Sequence, residues 1–399
     1  MHGIHWLLPL ALLRFGLPAL GLAHVQDETP EPDKDKAKIA LIRERASGLI
    51  EPLVQAGVPG VSVALVLPSG QTLALSAGQA DVAAGTAMTP DMRLLSGSAG
   101  KTYLIGVVLH LLAQGKLDLE REARTYFEGE DLEFVKSLPG GGRYSLNQLL
   151  RHQSGLPRYV FDPAFNRAMV AEPDRVWTAQ DRLAYVVGMD AQFEAGSAWA
   201  YSDTNYILAG MIVETVAGKT FYQLARELLL EPLKLADTLP TDERRIEKMS
   251  QGYVVAAKSM GVDDLTLVDG QFHFNVQFEW CGGGWASTPL DLARWLAVLY
   301  GGELLEDDYL DAILDAVPAP MLGQGTSYGL GVMLREGELG QLRYHDGFMP
   351  GYLTTAGFFA DIGVSAAIQT NIDDARLLGR RPVALLEELV AIVAEELEL

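Results

Sequence analysis

The chain has few cysteines and few basic residues for its length. Its single cysteine, Cys281, excludes an internal disulfide. No histidine lies beside Cys281 in sequence, which favours a structural thiol. The 31 lysines and arginines are outnumbered by 52 acidic residues, and the resulting formal net charge of −21 excludes general nucleic-acid binding. The zinc-ligand pattern His-Glu-x-x-His is also absent, so we expect neither a metal nor another cofactor.

An apolar stretch stands at the start of the chain. Residues 1–23 have the features of a secretory leader, with Gly21 and Ala23 around a small-residue cleavage site. The alternative is an uncleaved anchor, and only in that case do we expect contact with a membrane. Residues 24–37 are polar and contain proline, which predicts a disordered linker. We therefore predict a secreted or periplasmic protein.

Strand patterns occur near both ends of the chain, and helical patterns fill the middle. The predicted strands cover residues 61–67, 72–77, 328–334, 342–345, 353–359 and 363–370. The predicted helices cover residues 39–55, 145–152, 179–189, 206–217 and 221–233, with further helices after Ser98 and from Pro289 and Pro382. This order predicts the α/β (α+β) class, with one antiparallel sheet flanked by helices, built from both chain ends, and an inserted all-α lobe. The expected domain is 38–395, with 38–100 and 275–395 as its α/β part and 101–274 as a mainly helical lobe.

Ser98 and Lys101 lie three residues apart at the predicted start of an apolar helix. Residues i and i+3 share a helix face, so this spacing places a hydroxyl beside an ammonium, as a nucleophile beside a base or proton carrier requires. The pattern Ser-x-x-Lys occurs once in the chain. The simpler alternative is a helix cap followed by an exposed lysine. Residues 104–112 are apolar on nearly every side, which predicts a central, buried helix that ends near Gly115.

Two further groups place polar side chains beside apolar elements. Tyr201-Ser202-Asp203 precedes an apolar helix, and a tyrosine hydroxyl can carry a proton at a nucleophile if nearby cations lower its pKa. His345-Asp346-Gly347 lies at the end of a strand, where Gly347 allows a substrate to approach the backbone closely. The backbone N–H of Phe348 can then join that of Ser98 in an oxyanion hole. Taken alone, either motif would be structural.

In this order, the three groups resemble the signature of the serine β-lactamase and penicillin-recognising family, which is Ser-x-x-Lys, then Tyr-x-Asn, then Lys/His-x-Gly. The branch that it resembles most holds class C β-lactamases, D-Ala-D-Ala carboxypeptidases and related esterases. The resemblance extends over about residues 38–395. It includes framework runs at residues 58–64, 115–119, 149–157 and 328–331.

The resemblance implies a role for each residue of the three groups. The catalytic residues would be Ser98, Lys101 and Tyr201, with Ser98 acylated and the other two sharing proton transfer. Which of these two is the base stays open. The oxyanion hole would be formed by the backbone N–H groups of Ser98 and Phe348. The residues expected to contact the substrate are Asp203, His345, Asp346 and Gly347, and His345 would take the electropositive role of the third motif.

Two departures from the family pattern bear on the substrate. Asp203 replaces the usual asparagine and offers only acceptors when ionised, and near Lys101 it would favour the charged lysine. Asp346 stands where a serine or threonine usually helps to hold a substrate carboxylate, and an acid there should repel one. We therefore expect a small-molecule or peptide-like ester or amide that is uncharged or cationic. We also expect protonated His345 to support turnover, so that kcat/KM falls on the alkaline side.

Other functions stay open at this point. One is β-lactamase or D-Ala-D-Ala carboxypeptidase activity. Another is a non-catalytic family member that binds a peptide or cell-wall fragment, an alternative that Asp203 supports. A third is an ordinary α/β-hydrolase, since residues 60–64 approach its Gly-x-Ser-x-Gly elbow. Ser62 lies within a predicted strand rather than at a strand-to-helix turn, which argues against this alternative.

Overall fold

The computed structural model describes residues 32–306 and 309–399. The predicted leader, residues 1–23, and the first part of the predicted linker, residues 24–31, lie outside the described residues. The first helix begins at Pro32. Residues 32–37, which we predicted as part of a disordered linker, are therefore helical.

Strands from both ends of the chain form one large sheet. The strands, in chain order, are β1 (Gly60–Val66), β2 (Thr72–Asp81), β3 (Thr86–Ala87), β4 (Leu94–Leu95), β5 (Leu239–Pro240), β6 (Leu267–Val268), β7 (Gln271–Phe272), β8 (Trp285–Ser287), β9 (Val317–Pro318), β10 (Ser327–Tyr328), β11 (Met333–Gly337), β12 (Gly340–Met349), β13 (Tyr352–Phe359) and β14 (Val364–Thr370). Nine of them pair in the order β3-β2-β1-β14-β13-β12-β11-β10-β9, and every pair is antiparallel. Because β1 and β14 are neighbours, with Val63 opposite Ile368, the predicted sheet built from both chain ends is confirmed.

Helices cover both faces of this sheet and fill the insert. In chain order they are α1 (Pro32–Gln55), α2 (Lys101–Ala113), α3 (Gly129–Ser137), α4 (Leu146–Leu150), α5 (Pro163–Ala171), α6 (Ala179–Leu183), α7 (Asp203–Ala217), α8 (Phe221–Ala225), α9 (Pro289–Gly301), α10 (Leu310–Leu314) and α11 (Pro382–Leu397). Helices α2 to α8 follow one another between β4 and β5, which confirms the predicted helical insert. No helix within residues 32–306 and 309–399 is both long and apolar enough to cross a membrane.

The sheet separates two apolar cores because its strands alternate between faces. On one face, α1 and α11 pack against residues such as Leu65. On the other face, α9 packs against β1, β13 and β14, and the Ser365 hydroxyl donates to the carbonyl of Ala293 in α9 (2.8 Å). Thr288 caps α9 by accepting from the N–H of Asp291, and Pro289 is its first residue, as predicted.

One predicted strand is interrupted. Residues 328–334 were expected to be continuous, but β10 ends at Tyr328 and β11 begins at Met333. The turn between them closes with a hydrogen bond from the N–H of Gly329 to the carbonyl of Val332 (2.9 Å). Gly331 has φ +62°, which side-chain-bearing residues rarely adopt, and a Cβ there would lie 2.4 Å from Ile105.

Helix α2 runs through the middle of the second core, as its apolar composition predicts. Nearly all of its side chains are buried. Tyr103 stacks on Trp295 of α9 with ring centroids 5.1 Å apart, and a Cβ on Gly106 would lie 2.6 Å from the same tryptophan. Just past the helix, Gly115 has φ +67°, consistent with its predicted role as a helix stop. The N-terminus of this well-anchored helix carries the candidate active site.

Candidate active site

Ser98 lies in a 3₁₀ turn, Gly97–Gly100, that leads directly into α2. The turn packs against β12, and two glycines make this approach possible. A Cβ on Gly97, which has φ +52°, would lie 2.6 Å from the backbone nitrogen of Phe348, and a Cβ on Gly347 would lie 1.9 Å from the carbonyl oxygen of Ser96. Gly347 is thus required for the approach of the chain's own turn, and the approach of a substrate to its backbone stays a prediction.

Lys101 is fully buried and uses all three of its N–H groups. It donates to the Ser98 hydroxyl oxygen (3.0 Å), to Oδ1 of Asp203 (2.9 Å) and to the carbonyl of Gly282 (2.5 Å). Burial lowers the pKa of Lys101, but the attraction of nearby acids, Asp203 foremost, outweighs burial and raises this pKa above its usual value. Lys101 is therefore a fixed ammonium beside Ser98, as the acid at position 203 predicts.

Asp203 is the first residue of α7 and is shared by two cations. Its Oδ1 accepts from Lys101, and its Oδ2 accepts from Nε (2.9 Å) and Nη2 (2.6 Å) of Arg158. Burial raises the pKa of Asp203, but Arg158 and Lys101 together lower it well below its usual value. The helix N-terminus also favours a negative charge at this position. Asp203 is consequently an ionised, buried counter-ion.

Glu279 is a second buried acid near Lys101. Its Oε2 lies 3.9 Å from the Lys101 ammonium and has no hydrogen-bond partner among the described residues. Burial, followed by repulsion from Asp203, raises the pKa of Glu279. The next residue, Trp280, has φ +40° and ψ −115°, a strained conformation of the kind that clusters at functional sites. Cys281 is buried beside them.

Tyr201 places its ring between the charged cluster and a group of aromatic side chains. The Lys101 ammonium lies 5.1 Å from the centroid of the Tyr201 ring, and the ring centroid of His152 lies 4.1 Å from the same point. The Tyr201 hydroxyl is buried and has no well-formed hydrogen bond within residues 32–306 and 309–399. Burial raises the pKa of Tyr201, and the opposing effect of Lys101 is smaller. The phenol is therefore neutral: Lys101 does lower its pKa, but burial outweighs that effect, so the condition of a lowered pKa is not met.

His345 lies behind Tyr201 and is neutral. It is 0% exposed, its Nδ1 donates to the carbonyl of Asp346 (2.6 Å) and its Nε2 accepts from the Tyr328 hydroxyl (2.9 Å). Burial, with repulsion from Lys101, lowers the pKa of His345 to about 3. The predicted electropositive role of His345 is therefore wrong, and we no longer expect it to produce an alkaline limb in kcat/KM.

The neutral His345 predicts a specific pH dependence of stability. Its folded pKa of about 3 lies below the ordinary histidine pKa of 6.5, so the unfolded chain binds the extra proton between these values and the free energy of unfolding falls as pH falls through this window. The free energy of unfolding of His345→Asn should therefore fall less between pH 7 and pH 3 than that of the wild type, with a difference on the order of a few kcal/mol. Denaturant unfolding from pH 7 to 3 measures it, with His273→Asn as control. Equal pH slopes for His345→Asn and the wild type would contradict the assignment.

A cavity of about 680 Å³ opens over Ser98, and we name it the Ser98 cavity. Its walls include Ser98, Arg158, Tyr201, Asp346, Gly347 and Phe348. Asp346 accepts from the Thr355 hydroxyl through Oδ1 (2.7 Å), and burial raises the pKa of its carboxyl. An acid and a guanidinium thus face the same space as the candidate nucleophile.

The structure brings most of the predicted site residues together. Five of them line the Ser98 cavity, namely Ser98, Tyr201, Asp346, Gly347 and Phe348. Asp203 and His345 are at most 1% exposed, so their predicted direct contact with substrate is wrong. Arg158 and Glu279 were missed by the sequence analysis. A buried acid in place of the usual asparagine has to be paired with a cation, so the sequence does predict a cation near Asp203. Nothing in the sequence identifies Arg158 as that cation.

Comparisons with known proteins show the family to which the chain belongs. A family model described as Beta-lactamase matches residues 46–388, which is well over half of the chain. The chain belongs to the β-lactamase family. It is thus a serine hydrolase of that family, in line with the resemblance seen in the three motifs.

Two solved structures and one curated protein show how far the similarity extends. D-amino acid amidase from Ochrobactrum anthropi SV3, complexed with D-phenylalanine, is 26% identical with a TM-score of 0.73, covering 90% of this chain and 99% of that chain. D-stereospecific amidohydrolase from Streptomyces sp. is 26% identical with a TM-score of 0.72, covering 84% of this chain and 96% of that chain. N-acetylmuramyl-L-alanine amidase of Bacillus subtilis (strain 168) is 30% identical over 145 residues, which are 35% of this chain and 31% of the relative. The first curated relatives are matched over 31% to 55% of their own length.

Proposed function

We propose that this β-lactamase family member hydrolyses a small ester or amide, uncharged or cationic near the scissile bond, through an acyl-enzyme on Ser98. The observation that carries the proposal is the 3.0 Å contact between the Ser98 hydroxyl and the Lys101 ammonium at a cavity that Tyr201 also lines. The similarity to D-amino acid amidase over 90% of the chain supports an amide substrate. The leader-like residues 1–23 support action outside the cytoplasm.

In the proposed reaction, Tyr201 moves the proton and Lys101 supplies a fixed charge. Ser98 Oγ attacks the carbonyl carbon and passes its proton to the Tyr201 oxygen, while the proton of Tyr201 passes to the departing nitrogen or oxygen. The Lys101 ammonium stabilises negative charge on Oγ, and the N–H groups of Ser98 and Phe348 stabilise the oxyanion. Water then repeats the sequence on the acyl-Ser98 ester and releases the acid. The raised pKa values of Lys101 and Tyr201 support this division of roles, because they keep Lys101 charged and the Tyr201 phenol protonated.

Asp346 argues against a β-lactamase or a D-Ala-D-Ala carboxypeptidase, whose substrates carry a carboxylate near the scissile bond. An acid in the wall of the Ser98 cavity repels such a group. Arg158 shares this wall, but two of its N–H groups are already bonded to Asp203. A non-catalytic binder is the remaining alternative, and covalent labelling of Ser98 distinguishes it from an enzyme.

A substrate comparison tests the proposed selectivity. The wild type should hydrolyse a short neutral ester or a D-amino acid amide far faster than a penicillin. Asp346→Ser should narrow the ratio of kcat/KM for ester over penicillin by about 10- to 100-fold, because it removes one charged contact. The matched control is Asp174→Ser, since Asp174 is an exposed acid that lines a different cavity. Efficient penicillin hydrolysis by the wild type would show that the proposed selectivity is wrong.

A further inference from the structure

Arg158 has unused hydrogen-bond donors beside the candidate nucleophile. Its Nε and Nη2 both donate to Oδ2 of Asp203, whereas Nη1 has no hydrogen-bond partner in the part of the chain that the structure describes. The side chain is 29% exposed and lines the same cavity as Ser98. Guanidinium carries five N–H donors in a rigid plane, so the donors that Asp203 leaves free are available to a molecule bound in that cavity.

Two aromatic rings and one carboxylate fix the orientation of this guanidinium. Its central carbon lies 4.2 Å from the ring centroid of Phe161 and 5.2 Å from that of Tyr201. Guanidinium stacks on aromatic faces and pairs with carboxylates at its edge, and Asp203 is itself fixed by Lys101. Because the plane is already held, binding a substrate through the free donors costs little side-chain entropy.

The charges in the Ser98 cavity select the chemistry of the group that binds there. Asp346 disfavours an anionic substrate, and Arg158 disfavours an ammonium group placed against its free donors. A neutral oxygen acceptor satisfies Arg158 without opposing Asp346. We propose that Arg158 is a specificity-determining residue that binds a second, uncharged carbonyl oxygen of the substrate, so that N-acylated compounds are preferred over simple ones. This inference rests on the proposed function and narrows its substrate class.

Three methyl esters of similar length test the inference, with hydrolysis followed by titration of the released acid. Methyl N-acetylglycinate carries a second carbonyl, methyl pentanoate lacks it, and monomethyl succinate replaces it by a carboxylate. The wild type should show a kcat/KM for methyl N-acetylglycinate at least about ten-fold above that for either of the others. In Arg158→Met, the ratio of kcat/KM for methyl N-acetylglycinate to kcat/KM for methyl pentanoate should fall to near one.

A matched control separates recognition from structural support. Arg175 also stacks on an aromatic ring, Trp177 at 4.3 Å, pairs with a carboxylate and is 33% exposed, but it lines a different cavity. Arg175→Met should therefore keep the wild-type ratio. Turnover of all three esters with equal kcat/KM by the wild type, or equal losses for every ester in Arg158→Met, would overturn the inference. Preference for monomethyl succinate would also overturn it, because the recognised oxygen would then be anionic.

The wild-type measurement needs no variant, so the inference stays testable if Arg158→Met does not fold. Failure of the underlying function has a different signature. If the wild type hydrolyses none of the three esters and no other ester or amide, the proposed function itself fails. Clear turnover with a ratio near one refutes only the role of Arg158.

Discussion

Ser98→Ala is expected to lower kcat/KM for a neutral ester by at least about 10⁴-fold, because loss of a nucleophile removes the covalent route altogether. The Ser98 hydroxyl is the oxygen that both accepts from Lys101 at 3.0 Å and faces the cavity. The same variant should fail to gain the mass of a fluorophosphonate adduct, whereas the wild type should gain one adduct. Steady-state kinetics and intact-mass measurement check the two effects independently.

Ser62→Ala is the control for this experiment. Ser62 is fully buried within β1, and its hydroxyl donates only a long hydrogen bond, 3.4 Å, to the carbonyl of Leu75. This variant should keep both turnover and labelling. Near-native kcat in Ser98→Ala would refute the mechanism, and a wild type that is never labelled would favour a non-catalytic binding protein.

The sheet could be predicted because its strands carry their own signals. Residues 61–67 and 363–370 have strand patterns, and the chain alternates between strands near its ends and helices in its middle. The break after Tyr328 was missed because it depends on a distant contact. Gly331 turns where Ile105 of α2 leaves no room for a Cβ, and local pattern does not reveal such packing.

The site residues could be identified from motif spacing, but their charge states could not. His345 was expected to be protonated, yet it lies fully buried between Tyr328 and the carbonyl of Asp346, and burial holds it neutral. Ionisation depends on solvent exposure and on partners distant in sequence. For the same reason Arg158 and Glu279 were missed. Along the chain, Arg158 is 45 residues and Glu279 is 76 residues from Asp203.

The charged cluster of Lys101, Asp203 and Arg158 leads to the second large prediction. Asp203→Asn restores the residue usual in the family pattern but leaves two cations without their shared counter-ion. Removing one partner of a buried ion pair costs about 3–5 kcal/mol. The free energy of unfolding at neutral pH should therefore fall by about 3–5 kcal/mol. The control is Asp91→Asn, because the pair between Asp91 and Lys248 is exposed and such pairs contribute about 0–1 kcal/mol.

Asp203→Asn also separates the two possible roles of Lys101. In the wild type the attraction of Asp203 opposes burial and keeps the pKa of Lys101 raised. Without that attraction, burial lowers the pKa of Lys101, and the ammonium loses its proton as pH rises. If Lys101 acts as a charge, kcat/KM of the variant should fall on the alkaline side at a pH where the wild type is unaffected. A variant whose kcat/KM instead rises with pH would identify neutral Lys101 as the base and remove that role from Tyr201.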